Sequence, residues 1–257
     1  STRIYKIYHD FHYLCKQSLK FMPKEYFEFK QFTIHHDQCA MKVGTDGVLL
    51  GAWTAPSTCV KRILDIGTGS GLIAIMLAQK CEAKIIGIDI DENAIKQARE
   101  NAARCTWRER IQFIEKDVTK LEDKEGFDLI VCNPPFFVNS LQCPDEKRTV
   151  ARHSSSLPFE SLIESSYKLL KDNGIFNVIL PHTSADDFIL KGWERGLNLY
   201  KKCTIFSKPE TKPIRTIISL IKGSANYPET QNLLIRDENG DYTDSYKLLT
   251  KEYYLQF

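Results

Sequence analysis

Short apolar runs alternate with amphipathic segments through most of this chain, and this alternation constrains the fold more than any other feature. Runs typical of strands occupy residues 62–66, 84–89, 111–116, 127–133 and 175–180. Segments with helical character occupy residues 72–80, 92–106 and 158–171. Such alternation requires crossover connections, and it therefore predicts an α/β fold with a doubly wound, mostly parallel sheet.

The C-terminal part departs from this alternation. After a helix expected at 184–196, two β-rich runs at 199–206 and 215–221 follow each other with no helix between them. Only the loop 207–214, rich in proline and lysine, separates the two runs, so we expect them to pair as an antiparallel hairpin. The prediction is a Rossmann-like sheet of seven strands that ends in this hairpin.

Residues 1–21 differ from the rest, because they show neither helical nor strand periodicity. We interpret them as a non-native or disordered extension upstream of a start at Met22. The alternative is a basic arm that contacts a partner. The remainder is expected to form a single domain with an N-terminal strand and helix (22–52), a core (53–223) and a C-terminal tail (224–257). In the N-terminal part, Thr45 or Asp46 is the expected cap of a short helix.

Composition excludes several classes of protein. With 42% hydrophobic and 26% charged residues, the chain is neither disordered nor collagen-like. No apolar run reaches the about 20 residues of a membrane span, and no secretory signal is recognisable, so a cytoplasmic protein without a membrane partner is expected. No two of the eight cysteines lie closer than 11 positions, and no histidine pair has HExxH spacing, so no metal site is expected.

A glycine-rich turn joins the first strand of the core to its first helix. Gly67, Gly69 and Gly71 allow the backbone to turn tightly and to present N–H groups to a ligand. A dinucleotide-binding GxGxxG motif would need Gly or Ala at position 72, but this chain has Leu72, which disfavours a nicotinamide oxidoreductase. The spacing, preceded by Asp65, is similar to the cofactor loop of class I S-adenosylmethionine (SAM)-dependent methyltransferases.

This resemblance implies that SAM is the cofactor, and it implies roles for carboxylates that follow consecutive strands. Asp65 would hold the methionine end, and the three glycines would admit the ribose and the amino-acid portion. Asp89 would accept both ribose hydroxyls, while Asp117 and Val118 would contact the adenine. Ligands of open α/β sheets bind along this edge. An α/β fold in which the glycines serve packing alone is the alternative.

The segment Asn133-Pro134-Pro135-Phe136 follows the fourth strand directly. Two prolines fix φ and remove two donors, so the chain leaves the sheet in a rigid, extended form. The remaining acceptors, the Asn133 side-chain oxygen and the Pro134 carbonyl, suit a planar NH₂ group such as adenine N6 or an amide. Phe136 offers a ring on which a base could stack. The motif resembles the (Asn/Asp/Ser)-Pro-Pro-(Tyr/Phe) signature of amino methyltransferases, and these four residues are the predicted catalytic segment.

Residues 24–257 as a whole resemble the bacterial tRNA1(Val) (adenine37-N6)-methyltransferase family. Besides the two motifs above, the resemblance rests on the blocks at 29–33, 39–51, 151–153 and 242–246. It implies that Thr45 contacts the cofactor and that the substrate is an adenine in the anticodon loop of a tRNA, with valine tRNA as the expected partner. An anticodon-loop base is single-stranded, so extruding it costs little free energy.

The net charge of +2 gives no argument for a nucleic-acid partner, so RNA contacts must come from local basic groups. The candidates are Arg148, Arg152, His153, Lys201, Lys202, Lys208, Lys212 and Arg215, with the 208–215 loop the strongest. Three alternatives remain open from the residues. They are a methyltransferase that acts on a ribosomal RNA base, one that acts on a release-factor glutamine, and a non-catalytic protein that binds SAM or RNA.

Overall fold

The computed structural model describes residues 25–135 and 157–257. Several residues with predicted roles lie outside these ranges, namely residues 1–21, Met22, Phe136, Arg148, Arg152 and His153.

The described residues form ten strands, and eight of them share one sheet. The strands are β1 (Tyr26–Glu28), β2 (Thr33–His35), β3 (Arg62–Ile66), β4 (Lys84–Asp89), β5 (Ile111–Glu115), β6 (Phe127–Cys132), β7 (Leu170–Pro181), β8 (Asn198–Phe206), β9 (Arg215–Ile221) and β10 (Glu229–Leu234).

The α-helices connect and cover these strands. They are α1 (Thr45–Trp53), α2 (Leu72–Lys80), α3 (Glu92–Ala103), α4 (Phe159–Leu169), α5 (Ala185–Glu194) and α6 (Asp244–Thr250). None of the helices in the described ranges has both the length and the apolar character that crossing a membrane requires.

The large sheet has the strand order β10-β8-β9-β7-β6-β3-β4-β5. The strands from β7 to β5 run parallel to one another, whereas β9 is antiparallel to both β7 and β8. The predicted parallel sheet and its antiparallel hairpin are therefore confirmed. An eighth strand, β10, extends the sheet by pairing parallel to β8. Four of its six residues are exposed, so it lacks the apolar alternation that would have revealed it in the sequence.

Apolar layers cover both faces of the sheet, as a doubly wound fold requires. Alternate residues of each strand point to opposite faces, so Ile63 belongs to one core cluster and Leu64 to the other. The first cluster joins the sheet to α1, α2, α3 and the C-terminal segment around Tyr253. The second joins it to α4 and α5.

Several predicted boundaries differ from the structure by a few residues. The helix predicted to end at residue 106 ends at Ala103, because Arg104 and Cys105 donate to carbonyls three residues back and tighten the last turn. The strand after α4 begins at Leu170, where it pairs with Phe127 of β6. The N-cap of α1 is Gly44, without a side-chain hydrogen bond, so the prediction that Thr45 or Asp46 caps this helix was wrong.

The C-terminal end of α1 is anchored by a lysine from α2. The Lys80 ammonium donates to the carbonyl oxygens of Gly51 at 3.0 Å and Thr54 at 2.7 Å, and also to that of Ala52. The last carbonyls of a helix have no partners within the helix, and a cation there also complements the helix dipole. Burial lowers the pKa of Lys80 to about 8. Lys80 therefore ties α1 to the helix that follows the glycine-rich turn.

Replacing Lys80 tests this anchor. Lys80→Met retains most of the apolar stem but leaves the three carbonyl oxygens without their donor, so the free energy of unfolding should fall by about 1–3 kcal/mol. Urea denaturation followed by circular dichroism measures this loss. Lys96→Met, on the exposed face of α3, is the matched control and should stay within about 0.5 kcal/mol of the wild type. Equal stability of the two variants would contradict the anchoring role.

Candidate active site

The candidate site lies where the carboxyl ends of β3 and β6 meet. The two strands are parallel neighbours, and Ile66 is paired with Cys132. The next residues of each chain segment, Gly67 and Asn133, therefore leave the sheet side by side. The chain continues from β3 to β4 and β5 on one side and returns to β6 and β7 on the other. This is a topological switch point, the place at which open α/β sheets bind ligands.

The glycine-rich turn has the backbone conformation that its sequence predicts. Gly67, Gly69 and Gly71 have φ angles of +67°, +54° and +81°. A Cβ atom on Gly67 or Gly69 would meet no atom within 4 Å, whereas one on Gly71 would lie 2.8 Å from Phe113 Cζ. The first two glycines thus leave an open cradle. The third glycine allows the start of α2 to pack closely against Phe113. The Gly69 N–H donates to Asp89 Oδ2 at 3.0 Å, which ties the turn to the end of β4.

Asp65 is fully buried beneath this turn. Its Oδ2 accepts hydrogen bonds from Thr68 Oγ1 at 2.6 Å and from the Ala74 N–H at 3.2 Å, while Oδ1 is buried and no group of the described residues donates to it. Burial raises the pKa of Asp65 to about 7, against the effect of the Thr68 hydrogen bond. An unpaired buried acceptor is costly unless a ligand donates to it. The site therefore fits a ligand that brings a hydrogen-bond donor, such as the amino group of a methionine moiety.

The Asp89 carboxylate is held in a fixed orientation at the end of β4. Its Oδ2 accepts from Gly69, and its Oδ1 accepts from the Asp91 N–H at 3.0 Å. A carboxylate oxygen has two lone pairs, so both oxygens retain acceptor capacity. This arrangement fits a pair of adjacent hydroxyl groups.

Asp117 and Val118 follow β5, one strand further along the same edge. Asp117 Oδ1 accepts from the N–H and the hydroxyl of Thr119 at 2.9 and 2.8 Å, and these bonds lower the pKa of Asp117. Val118 is buried within the second core cluster. Any contact between Val118 and a ligand would therefore come from its main chain.

Asn133 presents an unused acceptor beside the glycine-rich turn. Its Oδ1 is buried, and no described residue donates a hydrogen bond to it. Pro134 is buried and Pro135 is exposed. A Cβ atom on Gly47 would lie 3.0 Å from Leu72 Cδ2 and 3.8 Å from Asn133 Nδ2. The first turn of α1 therefore lies close to the start of α2 and next to the Asn133 side chain, a proximity that sequence reasoning missed.

The N-terminal segment is joined to this site through α3. The Asn101 side chain accepts from the His35 N–H at 2.9 Å, and its amide donates to the His35 and Ser70 carbonyls at 2.8 and 2.9 Å. Sequence reasoning also missed Asn101. A polar residue beside Ala98 and Ala102 on the buried face of a predicted helix was the available signal.

Thr45, the predicted cofactor contact, is the exposed first residue of α1.

The predicted RNA-contacting residues in the described ranges divide into two groups. Three are paired with carboxylates: Lys201 with Glu229 at 2.8 Å, Lys202 with Asp186 at 3.0 Å and Arg215 with Asp46 at 2.8 Å. Lys208 and Lys212 are exposed, and no carboxylate of the described residues pairs with them. Among these described candidates, only Lys208 and Lys212 carry positive charge that no paired carboxylate compensates.

Comparisons with known proteins show which proteins this chain is similar to. A family model described as a methyltransferase domain matches residues 59–234. The chain is 44% identical over 234 residues to the tRNA1(Val) (adenine(37)-N6)-methyltransferase of Phocaeicola vulgatus, covering 91% of this chain and 99% of that protein. It is 39% identical over 235 residues to the protein of the same name from Yersinia enterocolitica, covering 90% of this chain and 93% of that protein.

A solved structure from Agrobacterium tumefaciens, described as a predicted O-methyltransferase, has the same fold. The TM-score is 0.61 at 22% sequence identity, covering 81% of this chain and 96% of that chain. The chain therefore has the class I methyltransferase fold and belongs to the tRNA1(Val) (adenine(37)-N6)-methyltransferase family.

Proposed function

We propose that this protein methylates N6 of adenine 37 in the anticodon loop of valine tRNA, in the cytoplasm, with SAM as the methyl donor. The names of its relatives support this substrate. The observation that carries the proposal is the buried Oδ1 of Asn133, to which no group in residues 25–135 and 157–257 donates, held beside the glycine-rich turn at the switch point of the sheet. A tRNA base is favoured over a glutamine side chain because the relatives carry the tRNA name.

The cofactor would be held by the residues around the turn, and when bound it supplies an electrophilic methyl group on its sulfonium. Asp65 and the cradle of Gly67, Gly69 and Gly71 suit its methionine end and ribose, and Thr45 is proposed as a further contact to the cofactor. Asp89 suits the ribose hydroxyls, whereas Asp117 and Val118 suit the adenine. In this proposal, residues 22–257 act as one domain.

The contribution of the chain to the reaction would be orientation and hydrogen-bond acceptance. The lone pair of an adenine amine is delocalised into the ring, which makes this nitrogen a poor nucleophile. Hydrogen bonds from its two protons to Asn133 Oδ1 and the Pro134 carbonyl would localise the lone pair and aim it. No strong base is required before attack, because the proton becomes acidic once the nitrogen is alkylated. Pro135 keeps the segment rigid, and Phe136 is proposed to stack on the base.

The Asn133→Ala variant tests this mechanism. Loss of one of the two acceptors should lower kcat for tRNA methylation by roughly a hundredfold or more while leaving SAM affinity nearly unchanged. Single-turnover methyl transfer and calorimetric SAM titration measure the two quantities. Asn232→Ala, on the exposed β10, is the matched control and should behave as the wild type. Unchanged turnover in Asn133→Ala would refute the assigned role.

We further propose that Lys208 and Lys212 contact tRNA phosphates. Their loop joins β8 to β9, and Arg215 at its end pairs with Pro181 at the carboxyl end of β7. The loop therefore belongs to the same sheet edge as Asn133, with only the end of β7 between them.

Removing both lysines tests this contact. Each phosphate contact adds about 0.7–0.9 to the slope of log K against log salt, so Lys208→Ala/Lys212→Ala should weaken tRNA binding and reduce that slope by about 1.4–1.8. Filter binding at several salt concentrations measures both effects. Lys84→Ala/Lys124→Ala removes two exposed lysines at the opposite edge and serves as the control. A slope equal to that of this control would rule out the contact.

A further inference from the structure

The two ends of α1 are held very differently. At its C-terminal end, Lys80 binds three carbonyls and the Thr54 N–H donates to Leu50 O at 2.9 Å. At its N-terminal end, the Gly44 cap makes no side-chain hydrogen bond, and the Val48 N–H lies 3.4 Å from Gly44 O. This first bond is long for an N–H···O hydrogen bond. Local hydrogen bonds therefore leave the first turn of α1 weakly fixed.

A long-range ion pair reaches this weakly fixed turn. Arg215 Nε donates to Asp46 Oδ2 at 2.8 Å across 169 positions of sequence. The Asp46 carboxylate belongs to the first turn of α1, where it also complements the positive end of the helix dipole. Arg215 Nη1 donates to the Ile214 carbonyl at 3.0 Å, which restrains the guanidinium.

The backbone at Arg215, the other partner of this ion pair, is held by strands on both sides. Arg215 is the first residue of β9, and its neighbours are Pro181 of β7 and Ile205 of β8. The Ile214 N–H donates to Ile205 O at 2.8 Å, so the residue before Arg215 is also held. The ion pair thus connects the first turn of α1, which local hydrogen bonds fix only weakly, to a strand that has a neighbour on each side.

The turn that the pair holds is the one that lies next to Asn133. Gly47 follows Asp46 and packs between Leu72 and Asn133 at distances that leave no room for a side chain on Leu72's side. A displacement of Asp46 would therefore also displace Gly47, which lies next to the Asn133 amide.

We propose that Asp46 and Arg215 form a positioning pair, which sets the first turn of α1 against Asn133 and so orients its oxygen toward the amine that is methylated. This inference rests on the proposed function. The side chains are 27% and 30% exposed. Pairs with this degree of exposure add only about 0–1 kcal/mol to stability, so the pair should act on geometry and not on folding. A misplacement of about 1 Å in an active site can cost about a hundredfold in rate.

A double-mutant cycle with Asp46→Asn and Arg215→Gln tests the proposal. Each single variant should lower kcat by roughly 10- to 100-fold, and the double variant should be no slower than either, because both remove the same interaction. SAM affinity should change by less than about fivefold, and the melting temperature by less than about 4 °C. Arg215→Lys keeps the charge and should retain most of the activity.

Hydrogen exchange supplies a readout that does not depend on activity. Amides of residues 45–50 should exchange faster in Asp46→Asn than in the wild type. Asp186→Asn is the matched control, because Asp186 also pairs from the first turn of a helix to a strand residue, Lys202. This control should change neither kcat nor exchange at 45–50.

The outcomes separate this inference from the proposed function. Unchanged kcat in both single variants of an active enzyme would overturn the positioning role, as would unchanged exchange at residues 45–50. A collapse of the melting temperature in Asp46→Asn alone would make the pair structural and overturn it as well. A wild-type protein that methylates no tRNA would refute the proposed function, and faster exchange in Asp46→Asn would then still support the positioning of α1.

Discussion

The parallel pairing of β3 with β6 is the constraint on which the candidate site depends. Because Ile66 and Cys132 are paired neighbours, the glycine-rich turn and the Asn-Pro-Pro segment leave the sheet together, although 66 positions separate Gly67 from Asn133. The apolar layers on both faces bury these strands and hold their register. Chemistry at this edge is therefore built on two buried strands of the sheet.

Two buried oxygen atoms give the site hydrogen-bond acceptors that are available to a ligand. Within the part of the chain that the structure describes, no donor bonds to Asp65 Oδ1 or Asn133 Oδ1, and both residues belong to the carboxyl ends of these paired strands. Each costs free energy in the unliganded protein, and a bound donor recovers that free energy. The site is thus organised before any ligand arrives, which is the condition under which hydrogen-bond acceptors contribute to catalysis. Anchoring of α1 at one end by Lys80, and at the other by the Arg215 ion pair, extends this organisation to the wall beside Asn133.

Much of this arrangement could be predicted from the sequence, because the signals are local. Strands buried on both faces appear as continuous apolar runs, and three closely spaced glycines indicate a turn with positive φ. Other features depend on residues that are distant in sequence or carry no local signal. β10 is polar and mostly exposed, and α1 begins at a glycine without a capping side chain. The Asp46–Arg215 pair and the bridging role of Asn101 become visible only when the sheet brings these elements together.

Methylation of adenine 37 can be tested directly. Labelled SAM is incubated with the protein and unmodified valine tRNA, and the nucleosides of the digested RNA are then analysed. We expect one labelled nucleoside, N6-methyladenosine, at position 37 of the anticodon loop. Labelled tRNA in which the methyl group lies on another base, or tRNA that stays unlabelled while the protein binds SAM, would contradict it.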